Sequence, residues 1–379
     1  MIYAVGSNAC GQLGIGSLDD SSLWVECIKS NKIKIAQMSG GANHSLLVTE
    51  EGSLFGTGSN DNGQLGLSQD QLHQFQEIPT TTNIVQVATG WHHSLALDVH
   101  GQVWAFGNNQ YGQLGLTTSI KDARSPVQIP IPMRVSKIAC GLYHSVALDE
   151  HGIAWGWGLN KHGELGKRSD QGRIQIKAPQ RILQDFQVTQ ISTGQHHTLL
   201  LTHQNLLLSM GWNKFGQLGC LDTLKASDTP MSVHNALFGN EKILQTFCGW
   251  TFSGCLTLGG HVYVWGRCDR GQLGLPLSEI QSMSSAGFDK TLTIPVCRIP
   301  VYNHHLKDIC QVSVGSEHGL ALDQRGRVFS WGWNEHGNLG LGHQNDVMIP
   351  TEMDPMAERE PIQIACGYGH SFVQMKIIT

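Results

Sequence analysis

Hydrophobic and polar residues alternate in short bursts along most of this chain, as in His93-Ser-Leu-Ala-Leu-Asp98. A period of two marks a half-buried strand, because successive side chains point to opposite faces. Each burst runs into a turn such as Asp98-Val-His-Gly101 or Asp323-Gln-Arg-Gly326, then into a second apolar run rich in aromatics. Glycine closes these turns because φ must be positive there; Asn205 replaces it once, and Asn is the next-best residue. One unit is therefore expected to hold strands at Ile84–Ala88, Ser94–Asp98, Gln102–Phe106 and Pro126–Ile129. Helix content should be low.

The bursts belong to two interleaved series. The first contains an aromatic strand, a glycine, an Asn and Gly-Gln-Leu-Gly, as in Trp104–Leu116. Its seven copies have first glycines at Gly6, Gly58, Gly107, Gly158, Gly211, Gly266 and Gly332, at steps of 52, 49, 51, 53, 55 and 66 residues. The second series, of the form G-x-x-H-S, starts at Gly41, Gly90, Gly141, Gly194, Gly249, Gly315 and Gly367. A fixed period near 50 residues indicates a propeller, a solenoid or an array, in which each unit buries its faces on its neighbours. Residues 1–16 supply an aromatic strand and a Gly-Gln-Leu-Gly turn without a preceding G-x-x-H segment, and the C-terminal end supplies the converse. The two ends are complementary halves of one unit. Ring closure is expected, with residues 1–16 completing the last unit beside residues 364–377, and trimming either end should destabilise the ring.

Composition changes this picture little. The 45 glycines among 379 residues exceed the usual ~7 per cent and belong to turns. The net charge is −5 with no block of like charge, so nothing points to nucleic acid or an anionic membrane. Met1-Ile-Tyr-Ala-Val enters a strand directly, so no secretory leader is expected, and no apolar run approaches the ~18 residues of a membrane helix. Ten cysteines occur without a C-x-x-C pair; Cys140, Cys248 and Cys366 share one slot with Gly40, Thr89, Thr193 and Val314. Reduced core thiols and a cytosolic or nuclear compartment are expected.

Six histidines occupy one slot, His44, His93, His144, His197, His318 and His370, and the fifth unit has Phe252 there. Equivalent slots are spread around a ring, so these residues should anchor blades to backbone groups rather than meet at a metal. No phosphate loop or nucleophile elbow is present, so neither a cofactor nor catalysis is expected. Departures from the repeat are more informative. Lys167–Arg173 reads as a polar loop, and residues 275–309 carry a Ser-rich insertion expected to protrude from the sixth unit. Trp91, Trp250, Glu317, Trp333, Glu335 and His336 depart from the repeat on connecting loops, and His318 follows Glu317 in Gly315-Ser-Glu-His318. Trp dominates protein interfaces, so these seven are the candidate partner-binding residues.

The two series together resemble the regulator-of-chromosome-condensation repeat over the whole chain. The resemblance implies an all-β, seven-bladed β-propeller of four-stranded blades in a single domain, residues 1–379, closed by mixing the terminal strands. Within that family the chain is most similar to the group holding the secretion-regulating guanine nucleotide exchange factor of animals and the fungal alpha-tubulin suppressor. That likeness rests on Gly90-Trp91, Gly249-Trp-Thr251, Trp265-Gly-Arg267, Gly315-Ser-Glu-His318 and Ser330–Gly337. It implies a non-enzymatic partner of a small CSL-type zinc/iron protein, in diphthamide synthesis and Elongator-dependent tRNA wobble-uridine modification. The face bearing Trp333, Glu335 and His336 would cover that partner's metal-binding end. The family equally implies an exchange factor for a small GTPase, with 277–290 as a wedge, or a general interaction scaffold. In each case the chain is expected to be monomeric apart from its partner.

Overall fold

The computed structural model describes the chain except residues 29–32, 118–119, 167–173, 184, 240, 284–286, 290–292, 354–358 and 377–379. The polar loop Lys167–Arg173 thus lies outside the described residues. Seven antiparallel sheets follow one another around a ring. We label them blades A (Ile35–Ile78), B (Ile84–Gln128), C (Val135–Arg181), D (Val188–Ser232), E (Ile243–Tyr302), F (Ile309–Glu352) and G. Five have four strands in simple meander order, blade E has a fifth strand, and blade G takes its four from both ends of the chain. The expected strands are present within a few residues; the outer strand of blade B starts earlier, at Asp122. Among the described residues, no helix is long and apolar enough to cross a membrane.

Blade G closes the ring. Its order places Ile2–Gly6 between His370–Lys376 and Ser21–Ile28, with Glu360–Cys366 innermost. Tyr3 pairs with Val373, and the Met375 N–H donates to the Met1 carbonyl at 2.9 Å. The N-terminal share extends beyond the expected 1–16: it is two strands, because Ser21–Ile28 forms the outer edge.

The apolar residues do not form one core. They fall into seven clusters among the described residues, each shared by two adjacent blades. Leu97 and Ala105 of blade B pack with Ala147 and Trp157 of blade C, and Val264 of blade E with Val312 of blade F. A propeller blade is too thin to bury both faces alone, so the sequence alternation is satisfied only by its neighbours.

The repeated polar residues hold these layers in register. In six blades the Asn of the first series accepts the N–H of the Leu five residues on, for example Leu65 to Asn60 at 2.7 Å and Leu339 to Asn334 at 3.0 Å. The repeated histidines are buried, but their partners differ from the expected backbone groups. Each imidazole Nε2 meets the Ser or Thr hydroxyl that follows the histidine slot of the next blade: His44 to Ser94 at 2.9 Å, His93 to Ser145 at 3.0 Å and His370 back to Ser45 at 2.8 Å. Those hydroxyls donate onward to turn carbonyls, such as Ser94 to Gln64 at 2.7 Å. Nε2 must therefore be the donor, leaving Nδ1 bare against the glycine of G-x-x-H, where a Cβ would overlap the ring. That close approach, not positive φ, is why glycine stands there.

Phe252 breaks this chain, and its neighbour answers. The residue in blade F that would receive a hydrogen bond from this slot is Gly319 instead of Ser or Thr. Donor and acceptor are lost together, so no buried polar group is orphaned.

The described part of the insertion does not protrude as expected. Its helix, Leu277–Met283, buries Ile280 in the E–F core, and Phe288–Asp289 pairs with Val296 and Cys297 as the fifth strand of blade E. Apolar Ile280 and Phe288 give the insertion a reason to fold back. Glu279 of the helix reaches His304 and His305, beyond Tyr302, at the end of the blade opposite Arg267.

Candidate functional site: an aromatic-lined cavity at one mouth of the channel

The loop between the first two strands of each blade turns at one mouth of the central channel. Backbone bonds link these loops round the ring: Trp91 N–H to the Leu142 carbonyl at 3.2 Å, Trp250 to Ser316 at 2.8 Å and Tyr368 to Gly41 at 3.0 Å. The residue after each loop glycine therefore points at the axis. In blades B, E and G that residue is Trp91, Trp250 and Tyr368. Blades B and E are not neighbours, yet the two indoles meet with ring centres 5.6 Å apart, and Tyr368 lies 5.4–5.8 Å from both. Three aromatics thus bridge the channel.

Beside them is a cavity of about 310 Å³, lined by Trp91, Trp250, Trp333, Glu317, His336 and Tyr368, with Arg267 and Arg270 at its side. Glu317 is 9 % exposed, and both carboxylate oxygens are bonded: Thr251 Oγ1 donates at 2.7 Å and Gln272 Nε2 at 2.8 Å. Burial pushes its carboxyl up to about 7, against the opposing pull of those two donors and of Arg267. Arg267 is itself clamped by both oxygens of Asp269, at 2.6 and 2.8 Å, which raises its pKa. On the far side, Trp333 and His336 pack edge-to-face at 5.3 Å, and His336 Nδ1 lies 2.7 Å from Asp20. The cavity therefore offers flat apolar walls, one buried carboxyl that titrates near neutrality and a cationic rim. Among the described residues that line it, no nucleophile is paired with a base.

Of the seven candidate residues, Trp91, Trp250, Glu317, Trp333 and His336 share this cavity. Glu335 is outside the lining: it is exposed and accepts the Trp333 indole N–H at 3.3 Å. His318 is corrected. It is 0 % exposed and bonds Ser371 at 3.0 Å, as one of the interblade histidines, so no partner can touch it. Tyr368, Arg267 and Arg270 belong to the lining and were missed. Tyr368 occupies the same slot as Trp91 and Trp250, and this shared slot was the available signal.

The same face carries a seven-fold series of polar stations. At six of them the side chain at the Gln position of Gly-Gln-Leu-Gly accepts the N–H two residues before it, as Gln113 does from Tyr111 at 2.8 Å and Gln272 from Arg270 at 2.8 Å; at the seventh, Asn338 instead donates to the Trp333 carbonyl at 2.6 Å. The residue before the histidine slot of the next blade completes the station. One station is Tyr111, Gln113 and Tyr143, with rings 4.9 Å apart; another is Arg270, Gln272 and Glu317.

Comparison with known proteins fits this architecture. The family model for the RCC1-like domain matches residues 1–373. The secretion-regulating guanine nucleotide exchange factor of Bos taurus is 34% identical over 391 residues, covering 98% of this chain and 82% of its own. The Mus musculus protein of that name is 32% identical over 398 residues, with the same coverage. Among solved structures, Prp20p from Saccharomyces cerevisiae, described with its binding to Gsp1p and histones, superposes with a TM-score of 0.90 at 26% identity, over 100% of this chain and 92% of that one.

Proposed function

The chain belongs to the RCC1-like domain family, and on that footing we propose that it is a non-enzymatic propeller that acts by binding a protein, foremost a small GTPase whose nucleotide release it promotes. The observation that carries this reading is the full-length likeness to the secretion-regulating exchange factors, 34% identical over 98% of this chain. An exchange factor needs no chemistry of its own. It must hold the nucleotide-free GTPase better than the loaded one, and differential binding is sufficient for that. A rigid ring with a concave, aromatic-lined mouth meets that need. The test is release of a fluorescent GDP analogue from purified small GTPases, with the chain and with its Trp250→Ala variant. Acceleration by the chain and its loss in the variant support the reading; unchanged release across the panel removes it.

A second reading is favoured by where the group-specific residues sit. Trp91, Trp250, Arg267, Glu317 and Trp333 all line the one cavity. They are also the residues behind the likeness to the secretion-regulator and alpha-tubulin-suppressor group rather than to the large family. In this reading the cavity seats a small CSL-type zinc/iron protein and places the chain in diphthamide synthesis and Elongator-dependent tRNA modification. Purifying the tagged chain from its own cells separates the two. A CSL-type protein at near-equal stoichiometry supports the second; a GTPase held without nucleotide and released by GTP supports the first. In the cytosolic or nuclear setting proposed here, either partner is accessible.

A further inference from the structure

The stations on the cavity face are not chemically equivalent. Six carry an amide at their centre: Gln12, Gln64, Gln113, Gln217, Gln272 and Asn338. The station between blades C and D carries Glu164, flanked by His162 before it and His196 from the next blade. Glu164 keeps one half of the amide's role, since its Oε2 accepts the His162 N–H at 2.7 Å. Its other oxygen occupies the place of an amide nitrogen that would donate, and a carboxylate cannot donate. Glu164 is 0 % exposed, and Oε1 is buried without a hydrogen-bond partner. His196 Nδ1 lies 3.2 Å from Oε1, but without the alignment of a hydrogen bond. One nitrogen or oxygen from each of the three residues falls within 4.8 Å of the others. Trp212 walls the group, stacked on His162 at 5.4 Å and edge-on to His196 at 5.8 Å.

We propose that His162, Glu164 and His196 form a binding site for a divalent transition metal, of the zinc class, at the junction of blades C and D. Zinc sits ~2.0–2.2 Å from histidine nitrogen and carboxylate oxygen, so two tetrahedral ligands lie ~3.4 Å apart. The Glu164–His196 separation already matches one such edge. A metal supplies what the unpaired oxygen lacks, a positive centre inside a buried site. Two histidines and one carboxylate leave a fourth position open on the cavity face, for water or for a side chain of a bound protein. The site differs from the six repeated histidines, which are held apart by the ring. It stands independently of either partner reading.

The test uses the full chain, stripped by chelator and titrated with zinc, with cobalt as the spectroscopic probe. One zinc per chain is expected, and cobalt should give the visible absorption of a tetrahedral site. Glu164→Gln restores the amide of the other six stations, so it should fold normally yet lose zinc affinity by more than the ~10–100-fold that follows loss of an outer-shell partner. His196→Asn should do the same. Glu279→Gln, in the half-buried cluster with His304 and His305, should leave binding unchanged. Absence of stoichiometric zinc in the parent chain overturns the proposal. So does binding that survives both Glu164→Gln and His196→Asn, or that is lost in Glu279→Gln alone.

Discussion

Lowering the pH from 7 to 5.5 should strip most of the stability from this ring, through the six interblade histidines. Burial lowers each of them to about 3, and Nδ1, where the extra proton would go, faces a glycine with no acceptor. In the unfolded chain a histidine titrates near ~6.5. The folded value is depressed, so stability present above ~6.5 is lost as pH falls towards 3. Each such residue costs ~1.4 kcal/mol per pH unit once the unfolded chain is protonated. One unit below the unfolded value, six histidines have cost roughly 7 kcal/mol relative to pH 7. Glu317 acts in the opposite sense: its folded value is raised to about 7, so the strain of its buried charge disappears as pH falls through that value. It returns roughly 2 kcal/mol. The net loss of about 5 kcal/mol is comparable to the whole stability of many domains. Urea unfolding midpoints at the two pH values measure it. The double variant His93→Phe with Ser145→Gly copies the pair that Phe252 and Gly319 already form, and should recover about 1 kcal/mol of the loss. A midpoint that does not move between pH 7 and 5.5 would refute the reasoning.

Four further outcomes are expected. Trp331→Phe should cost ~1–3 kcal/mol in thermal unfolding, because the buried Gln272 carbonyl then loses the indole N–H at 3.1 Å, and Gly319 offers no hydroxyl in its place. Trp265→Phe should cost less, since Ser253 still donates to the Gln217 carbonyl at 2.9 Å; an equal cost would show that the hydroxyl contributes nothing. Deleting residues 1–6 should abolish soluble monomer on gel filtration, because that strand lies between two others in blade G, and a folded truncated monomer would refute the closure argument. Thiol titration of the native protein should label exposed Cys310 first, with Cys255 and Cys268 unreactive until unfolding, because both are buried and burial raises their pKa; simultaneous labelling would refute this.

The sequence determined the repeat, the strand pattern and the closing of the ring. These follow from local rules: alternation sets strands, Gly sets turns, and complementary half-units at the two ends can be satisfied only by each other. It also singled out Trp91, Trp250, Glu317, Trp333 and His336 as departures from the repeat. Only the tertiary structure decided that these five share one cavity. The reason is geometric: Trp91 and Trp250 are 159 positions apart and in blades that do not touch, and they meet because both loops face the axis. The same geometry withdrew His318, whose slot faces the next blade, and drew the insertion back onto blade E. Nor could one dimension show that Phe252 and Gly319 answer each other, or that Glu164 faces His196. Such pairs form across blade junctions, about one repeat or less apart in sequence. No local propensity encodes them, and they become visible only when one blade is stacked on the next.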